Sequence, residues 1–326
     1  MAIYKLGEIA KIINGSKPSS YEGRYRILGS GGYFGWTNKY KTDDYSIMLP
    51  RKGTMKIMWI EPKAWNVDTA FLITKVNQEK VLMKYLYYEL KINSHWMEKL
   101  INSGTTRPAT RLTEWRKLEL SLPLIEEQQK IIDIIEPIEN LLKQINNLRN
   151  KLLNLVLNLP FSDKKEKISH FLEPIKNKPK HIKQISAKVL NNQGIISKLE
   201  DIDTYKTNNF FTPKGSFVFC SIRTYLKKWG LIPYDADSNG TLFQFSIKNN
   251  ITSLISFLMS NDSWEKFNLL SSGTKMPVIK KESFLNVELP LKTIEIHKID
   301  EILISFNQLE LKINLLKERL IQLLIK

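Results

Sequence analysis

The chain has 326 residues, a length that corresponds to about two domains. Hydrophobic residues make up 42% of it and aromatic residues 10%, which excludes a disordered or collagen-like chain. With 49 Lys+Arg against 33 Asp+Glu, the formal net charge is +16, and such a charge favours a polyanionic partner, most simply a nucleic acid. Most of the basic residues are Lys, so the coding bias of an AT-rich genome is the alternative explanation.

The single cysteine, Cys220, excludes an intrachain disulfide framework and predicts a reducing compartment. The N-terminal residues MAIYKLGEIA contain no apolar core of a signal peptide. No apolar run approaches the roughly 20 residues that cross a bilayer. We therefore expect a cytoplasmic protein that is not embedded in a membrane.

The first globular part, residues 1–123, is predicted to combine short strands with helices, as an α+β fold does. Residues 46–49 and 56–60 are short apolar runs bounded by turn residues, which predicts two strands. Residues 79–102 carry apolar side chains at helical spacing. Four tryptophans of the whole chain are expected to lie in cores: Trp59, Trp65, Trp96 and Trp264.

A long helix is predicted after Pro123, within residues 124–160. Apolar residues recur there at steps of three and four, which is the heptad pattern of a coiled coil. Pro137 lies inside this pattern and predicts either a kink or a later helix start. The expected partner-helix positions are Ile131, Ile134, Ile138, Leu141, Ile145, Leu148, Leu152 and Leu155.

The second globular part, residues 161–291, is predicted to be α+β as well. Residues 215–222 are its clearest strand, and Cys220 within this strand is expected to pack in the core. Residues 252–270 are predicted to be helical.

A second heptad helix is predicted within residues 292–326. Extra apolar residues, such as Ile135 and Leu142 in the first helix and Leu303 in the second, widen both seams beyond a two-stranded coiled coil. The two helices are therefore predicted to pack against each other and still offer an apolar flank to a partner. The expected partner-helix positions of the second helix are Ile299, Ile302, Phe306, Leu309, Ile313, Leu316, Leu320 and Leu323.

The two halves of the sequence resemble each other. Residues 103–108 (SGTTRP) match residues 272–277 (SGTKMP) at an offset of 169, and residues 127–131 match residues 295–299 at an offset of 168. Residues 1–160 carry 24 basic and 16 acidic residues and residues 161–326 carry 25 and 17, so each half has a charge of +8. These matches predict a tandem duplication, and the equal charges argue against a basic tail.

Motifs of the common nucleotide-dependent enzymes and nucleases are missing from the sequence. It has no Gly-rich loop that ends in Gly-Lys-Ser/Thr and no dinucleotide fingerprint. It also lacks any Pro-Pro dipeptide, which an amino-methyltransferase motif needs, and any Pro-Asp dipeptide of the commonest nuclease core. The four His residues are scattered, so no metal site is expected.

This arrangement resembles the DNA-specificity (S) subunits of type I restriction-modification systems. The resemblance is strongest at the junction of residues 122–132 (LPLIEEQQKII) and in the repeated order of globular part, Ser-Gly-Thr…Pro loop and heptad helix. Residues 29–36 are similar to the family's glycine-rich segment, residues 50–53 to its PRKG turn and residues 68–71 to its DTAF strand. The second half has Ile296-His297 where the first has Gln128-Gln129, and it lacks the glycine-rich segment.

The resemblance implies an α+β fold with two globular target-recognition domains in tandem pseudo-repeat, residues 1–123 and 161–291. Two long helices, in residues 124–160 and 292–326, would separate them and pack as an antiparallel coiled coil. The implied partners are double-stranded DNA, two methyltransferase (M) subunits and, through the complex, the restriction/translocase (R) subunits. Each domain would read one half of a bipartite, asymmetric site. S-adenosylmethionine belongs to the M subunits, so no cofactor, metal or catalytic residue is expected in this chain.

The residues that would contact DNA follow from side-chain chemistry. The guanidinium fork of Arg matches O6 and N7 of guanine, so Arg is the better base reader and Lys suits phosphates. A glycine-rich turn and aromatic rings beside basic residues are further candidates, and each of these residues is alternatively a solvated surface charge or an edge-of-core aromatic. The candidates are Arg51, Arg107, Arg111 and Arg223 for bases, Lys17, Lys52, Lys227, Lys228 and Lys275 for phosphates, and Ser30, Gly31, Tyr33 and Tyr225, with Trp229 beside the last.

Two other classes of protein stay open at this point. A non-enzymatic coiled-coil scaffold, or another nucleic-acid-binding module, would explain the helices, and a gel shift in the presence of partner subunits would discriminate. An enzyme with an unrecognised site is the second, and an assay of the purified chain for methylation or cleavage would reveal it.

Overall fold

The computed structural model describes residues 1–92, 96, 100–101, 108–201 and 209–325. The chain forms two compact units: unit 1 consists of residues 1–139 and 317–326, and unit 2 of residues 140–316. The central helix spans Ile125–Asn158 and the C-terminal helix spans Ile299–Leu324. Each unit therefore contains a piece of both long helices.

Unit 1 builds three sheets from short strands. Its strands are β1 Ala2–Lys5, β2 Ala10–Ile13, β3 Tyr25–Gly29, β4 Gly32–Thr37, β5 Ser46–Pro50, β6 Met58–Ile60, β7 Ala64–Asn66, β8 Ala70–Val76 and β9 Glu119–Leu122. The sheet orders are β2-β8-β5-β6, β4-β3-β7 and β1-β9. The shorter helices of this unit are Leu6–Ile9, Met83–Ile92 and Leu112–Lys117.

Unit 2 has the same set of sheets. Its strands are β10 Phe161–Lys167, β11 Leu172–Pro174, β12 Gln184–Ile185, β13 Asn209–Thr212, β14 Phe217–Cys220, β15 Trp229–Leu231, β16 Ala236–Asn239, β17 Leu242–Ile247 and β18 Glu288–Lys292. The sheet orders are β11-β17-β14-β15, β12-β16-β13 and β10-β18. The shorter helices are Ile168–Phe171, Thr224–Leu226 (a 3-10 turn), Thr252–Met259, Asn261–Leu269 and Lys281–Leu285.

The two units thus repeat one pattern of a four-stranded, a three-stranded and a two-stranded sheet. In each three-stranded sheet one pair is parallel, β3 with β7 and β12 with β16. The central strands β5 and β14 are buried along their whole length, because each has a hydrogen-bonded neighbour on both sides. The strands predicted at residues 46–49 and 215–222 are therefore confirmed.

Two predicted helices differ from the structure. The central helix begins at Ile125 and continues through Pro137, so the later start is wrong. Residues 252–270 form two helices instead of one, because the Ser260 side chain accepts a hydrogen bond from the Ser263 amide (3.3 Å) and caps a new helix there. The predicted helix 79–102 is observed at Met83–Ile92, and part of its remainder lies outside the described residues.

Gln128 ties the first turn of the central helix to the sheet domain of unit 1. Its fully buried side chain accepts a hydrogen bond from the Leu82 amide (2.9 Å) and donates to the carbonyls of Lys80 (3.0 Å) and Pro123 (2.9 Å). In unit 2 the corresponding residue is Ile296, whose amide donates to Thr252 Oγ1 (2.9 Å). The sequence difference at this junction is therefore a change of which side chain supplies the hydrogen bonds.

Replacing Gln128 by Leu is expected to lower the free energy of unfolding of unit 1 by about 2 kcal/mol, since it leaves partly buried backbone groups unpaired. Hydrogen exchange of unit 1 amides under increasing urea would measure this loss. Gln129→Leu is the matched control, because Gln129 is exposed and its side chain donates only to Asp133 Oδ1 (2.7 Å). Equal stability of the two variants would contradict the role given to Gln128.

Lys292 closes the other end of the central helix. Its ammonium is buried and donates to the carbonyls of Leu157 (2.9 Å) and Leu159 (2.6 Å). It also lies 3.5 Å from the centre of the Phe161 ring. A helix C-terminus leaves carbonyls without partners and carries partial negative charge. The Lys292 ammonium donates hydrogen bonds to these carbonyls and places its positive charge beside the negative end of the helix. Burial lowers the pKa of this ammonium.

Candidate nucleic-acid interface

In unit 1 the glycine-rich turn between β3 and β4 is held in place by hydrogen bonds of Ser30. Ser30 is buried: its hydroxyl donates to the Lys52 carbonyl (2.6 Å) and its amide donates to Thr69 Oγ1 (3.3 Å). Gly31 is exposed, and a Cβ added there would have no atom within 4 Å. Ser30 thus positions the turn, and Gly31 is the part of it whose backbone is open to solvent.

The loop that follows β5 carries Arg51 and Lys52. Arg51 is half-buried, donates to the Asp68 carbonyl (3.0 Å) and lies 5.9 Å from the centre of the Phe71 ring. Lys52 is exposed. The guanidinium of Arg51 therefore contributes to the packing of its own loop, whereas the Lys52 ammonium is open to solvent.

The same loop is joined to the end of the Ser-Gly-Thr…Pro segment. The Gly53 amide donates to the Pro108 carbonyl (3.2 Å), and Lys52 forms an isolated bridge with Ala109. Arg111 is exposed at the start of the helix Leu112–Lys117, and Lys17 is exposed as well. Arg107 lies outside the described residues.

Unit 2 joins the corresponding loops in the same way. The Arg223 amide donates to the Pro277 carbonyl (2.7 Å), and Ile222 forms an isolated bridge with Val278. Arg223 and Lys275 are both exposed. In both units, then, a loop after the central strand is hydrogen-bonded to the proline that ends the Ser-Gly-Thr…Pro segment, and basic side chains gather there.

The 3-10 turn Thr224–Leu226 has an unusual backbone. Arg223 (φ 51°) and Lys227 (φ 54°), on either side of it, both adopt the left-handed conformation, which non-glycine residues seldom adopt outside constrained sites. Tyr225 between them is 51% exposed. The turn therefore presents an arginine and a tyrosine outward on a strained backbone.

Three residues beside this turn are less available for contact with a ligand than the sequence indicates. The Lys227 ammonium donates to Asn261 Oδ1 (2.6 Å), and the Lys228 ammonium donates to the Ala187 carbonyl. Trp229 is fully buried and stacks on Phe217. Its expected place in an exposed basic-aromatic strip is wrong, because alternation along β15 turns this residue into the core of unit 2.

Unit 1 also has a basic-aromatic cluster of which only Tyr33 was among the sequence candidates. Arg24, Arg26, Tyr33 and Trp36 line an open cavity of about 300 Å³ together with Glu61 and Lys63. Burial raises the pKa of the Tyr33 hydroxyl. The signal that would have found this cluster is the run Arg24-Tyr25-Arg26, where basic and aromatic residues alternate just before the glycine-rich turn.

Burial separates the predicted helix positions into two sets. In the central helix Ile131 and Ile145 are buried and Ile138 and Leu152 are half-buried. In the C-terminal helix Ile299 is buried and Phe306, Ile313 and Leu320 are half-buried. The other eight positions are exposed: Leu141, Leu148, Leu155, Ile302, Leu309 and Leu316 in unit 2, and Ile134 and Leu323 in unit 1.

The exposed residues form one apolar stripe on each helix, with a spacing of seven residues and an offset of 168 between the helices. On each helix, every second position of the predicted seam is thus an exposed apolar side chain. Residues that the sequence treated as extra, among them Ile135, Leu142, Leu153 and Leu303, fill the buried positions instead.

The described residues show no group of His, Cys, Asp and Glu that would hold a metal ion. In the same ranges no helix combines the length and the apolar character that a bilayer crossing requires. Cys220 is buried in β14, as predicted, and burial raises the pKa of its thiol.

Fold and site together define a protein with a pair of joined basic loops in each unit and with long helices that carry exposed apolar stripes. Residues 1–154, slightly less than half of the chain, match the family model of the type I restriction modification DNA specificity domain. The resemblance to DNA-specificity subunits of type I restriction-modification systems is thereby confirmed. No curated protein matches the sequence.

Three solved structures match the chain along its length, and the first of them is similar in fold. The S subunit of a type I restriction-modification system from M. genitalium has 14% identity and a TM-score of 0.56, and the match covers 100% of this chain and 96% of that one. A chain from a structure on complex assembly and conformational transition of the type I R-M system has 11% identity, coverages of 100% and 97% and a TM-score of 0.37. The HsdS subunit from Thermoanaerobacter tengcongensis has 13% identity, coverages of 99% and 94% and a TM-score of 0.34.

Proposed function

We propose that this chain is the sequence-specific DNA-recognition subunit of a type I restriction-modification complex. Each unit would read one half of a bipartite, asymmetric site through its paired loops. The observation that carries the proposal is the repeated contact of Gly53 with Pro108 in unit 1 and of Arg223 with Pro277 in unit 2. One arrangement of basic loops, made twice, suits two half-sites on one duplex.

Recognition would divide between phosphates and bases. Exposed Lys17, Lys52 and Lys275 suit phosphate oxygens, which orient a protein on the duplex without reading its sequence. Exposed arginines and Tyr225 suit the base edges. The affinity of the complex for DNA would then fall steeply with salt, as Lys and Arg displace condensed counterions.

The long helices would set the unread gap between half-sites and bind the partner subunits. Ion pairs between the helices support antiparallel packing: Glu139 pairs with Lys317 in unit 1 (3.8 Å), and Arg149 pairs with Glu310 in unit 2. Two equivalent apolar stripes suit two copies of one partner, which we take to be two M subunits, with R subunits joining through the complex. The chain itself would perform no chemistry, and it would act on DNA in the cytoplasm.

The test is an exchange of residues 1–123 for those of another family member, in complex with the M subunits. Gln128 binds backbone atoms of this part, so a foreign first domain keeps the junction. Methylome sequencing should show a new first half-site and an unchanged second one. A change in both half-sites would refute one domain for each half, and an unchanged motif would refute recognition by this domain.

A further inference from the structure

The side chain of Arg26, on β3, is held in place by two aromatic rings of the neighbouring strand β4. It lies directly across from Trp36, and its guanidinium carbon is 5.6 Å from the centre of the Trp36 ring and 5.0 Å from that of Tyr33. The pairing of β3 with β4 shifts its register between Ile27 and Leu28, and this shift sets Tyr33 opposite Leu28. A bulge of this kind re-aims side chains, and here it brings Tyr33 to the same face as Arg26 and Trp36.

The Arg26 guanidinium is also uncommitted. The side chain is exposed, and no carboxylate of the described residues forms an ion pair with it. Arg51, by contrast, already donates to the Asp68 carbonyl. An arginine braced by two rings has lost little rotamer freedom by the time it binds, while its donors stay available.

The cavity in front of Arg26 is suited to a base edge. Its volume is about 300 Å³, and Arg24, Lys63 and the carboxylate of Glu61 stand around it. Two cationic side chains beside Arg26 favour a polyanion over a neutral ligand.

We propose that Arg26 is the residue with which unit 1 reads a guanine of its half-site, and that Tyr33 and Trp36 are positioning residues for it. The inference rests on the proposed function and adds a residue and a base to it. The guanidinium fork would donate to O6 and N7 of one guanine in the major groove. A lysine at this place would lack the fork and would not be held between two rings.

The experiment selects bound duplexes from a randomised library, using the full chain in complex with its M subunits. Wild type should enrich a two-part motif with a guanine in the first half. Arg26→Gln and Arg26→Lys should each lose the preference for that guanine by on the order of 10- to 100-fold. The second half of the motif should persist, which shows that the variant is folded and assembled.

Arg24→Gln is the matched control, because it removes the same charge from the same cavity; it should weaken binding of all duplexes to a similar degree and leave the guanine preference unchanged. For the positioning role, Trp36→Leu should weaken the guanine preference, and Trp36→Phe should restore most of it. These two variants separate bracing by a ring from a purely structural effect of the side chain.

Three outcomes would overturn the inference. Arg26→Gln that retains the full motif would show that another residue reads the base. Arg26→Gln that weakens binding of all sequences equally would show a phosphate contact. Wild-type protein that enriches no motif would refute the proposed function together with this inference, whereas the first two results leave the proposed function standing.

Discussion

Replacing Leu148 and Leu316 by Glu is expected to abolish binding of the M subunits while the chain stays folded. Both side chains are 55% exposed, so a carboxylate at either place remains in water in the free chain. In the proposed complex each carboxylate would be buried against an apolar surface without a partner, which costs several kcal/mol. We expect binding to weaken at least 100-fold, as judged by co-purification and calorimetry.

Asn150→Glu provides the matched control for this pair. Asn150 is exposed on the central helix and lies two residues beyond Leu148, hence on the opposite side of the helix. The substitution Asn150→Glu adds a negative charge on the side of the helix away from the stripe, so it should leave binding of the M subunits unchanged. Full M-subunit binding by the double variant would mean that the stripes have another role.

Adding seven residues to each long helix is expected to lengthen the unread gap and to leave both half-sites unchanged. The insertions belong between Gln144 and Ile145 and between Asn314 and Leu315, near the pair of Arg149 and Glu310. Seven residues preserve the heptad and add about 10 Å of helix, or up to about three base pairs of duplex. Methylome sequencing of cells that carry the variant would read the gap directly.

An insertion in only one helix should behave differently, because it shifts one partner of each interhelical pair against the other. That variant is expected to lose assembly with the M subunits instead of gaining a longer gap. An unchanged gap with full activity in the doubly extended variant would show that the helices do not set the spacing.

The sequence predicted the long helices well, but it could not tell which of their apolar residues are buried and which are exposed. Ile134 and Ile135 are the same residue type, yet Ile135 is buried and Ile134 is 46% exposed. A heptad pattern indicates that apolar surface meets a helix, and it does not say whether that helix belongs to the same chain. Two polar residues, Arg149 and Asn307, are also buried on these helices because they find hydrogen-bond partners in the fold. An apolar pattern in the sequence does not indicate such buried polar positions.

A similar limit applies to the candidate site. The repeated Ser-Gly-Thr…Pro segments and the loop at Arg51 located one region in each half. Which basic side chain is free, however, depends on its neighbours in the fold: Arg51 donates to the Asp68 carbonyl, whereas Arg26 contacts two aromatic rings and forms no ion pair with any residue that the structure describes. Residue type alone ranks these two arginines equally.

The last turn of the C-terminal helix has a consequence for how the chain is made. Ile321 and Ile325 belong to the core of unit 1, in the same cluster as Ile131, Ile132 and Ile135. A ribosome finishes residues 1–139 long before it reaches residue 317, by on the order of ten to thirty seconds at bacterial rates. Throughout that interval the core of unit 1 is incomplete, and a prematurely terminated chain never closes it. Only a polypeptide that already includes residues 317–325 can bury this surface, so synthesis of that segment is itself a condition for a finished first unit.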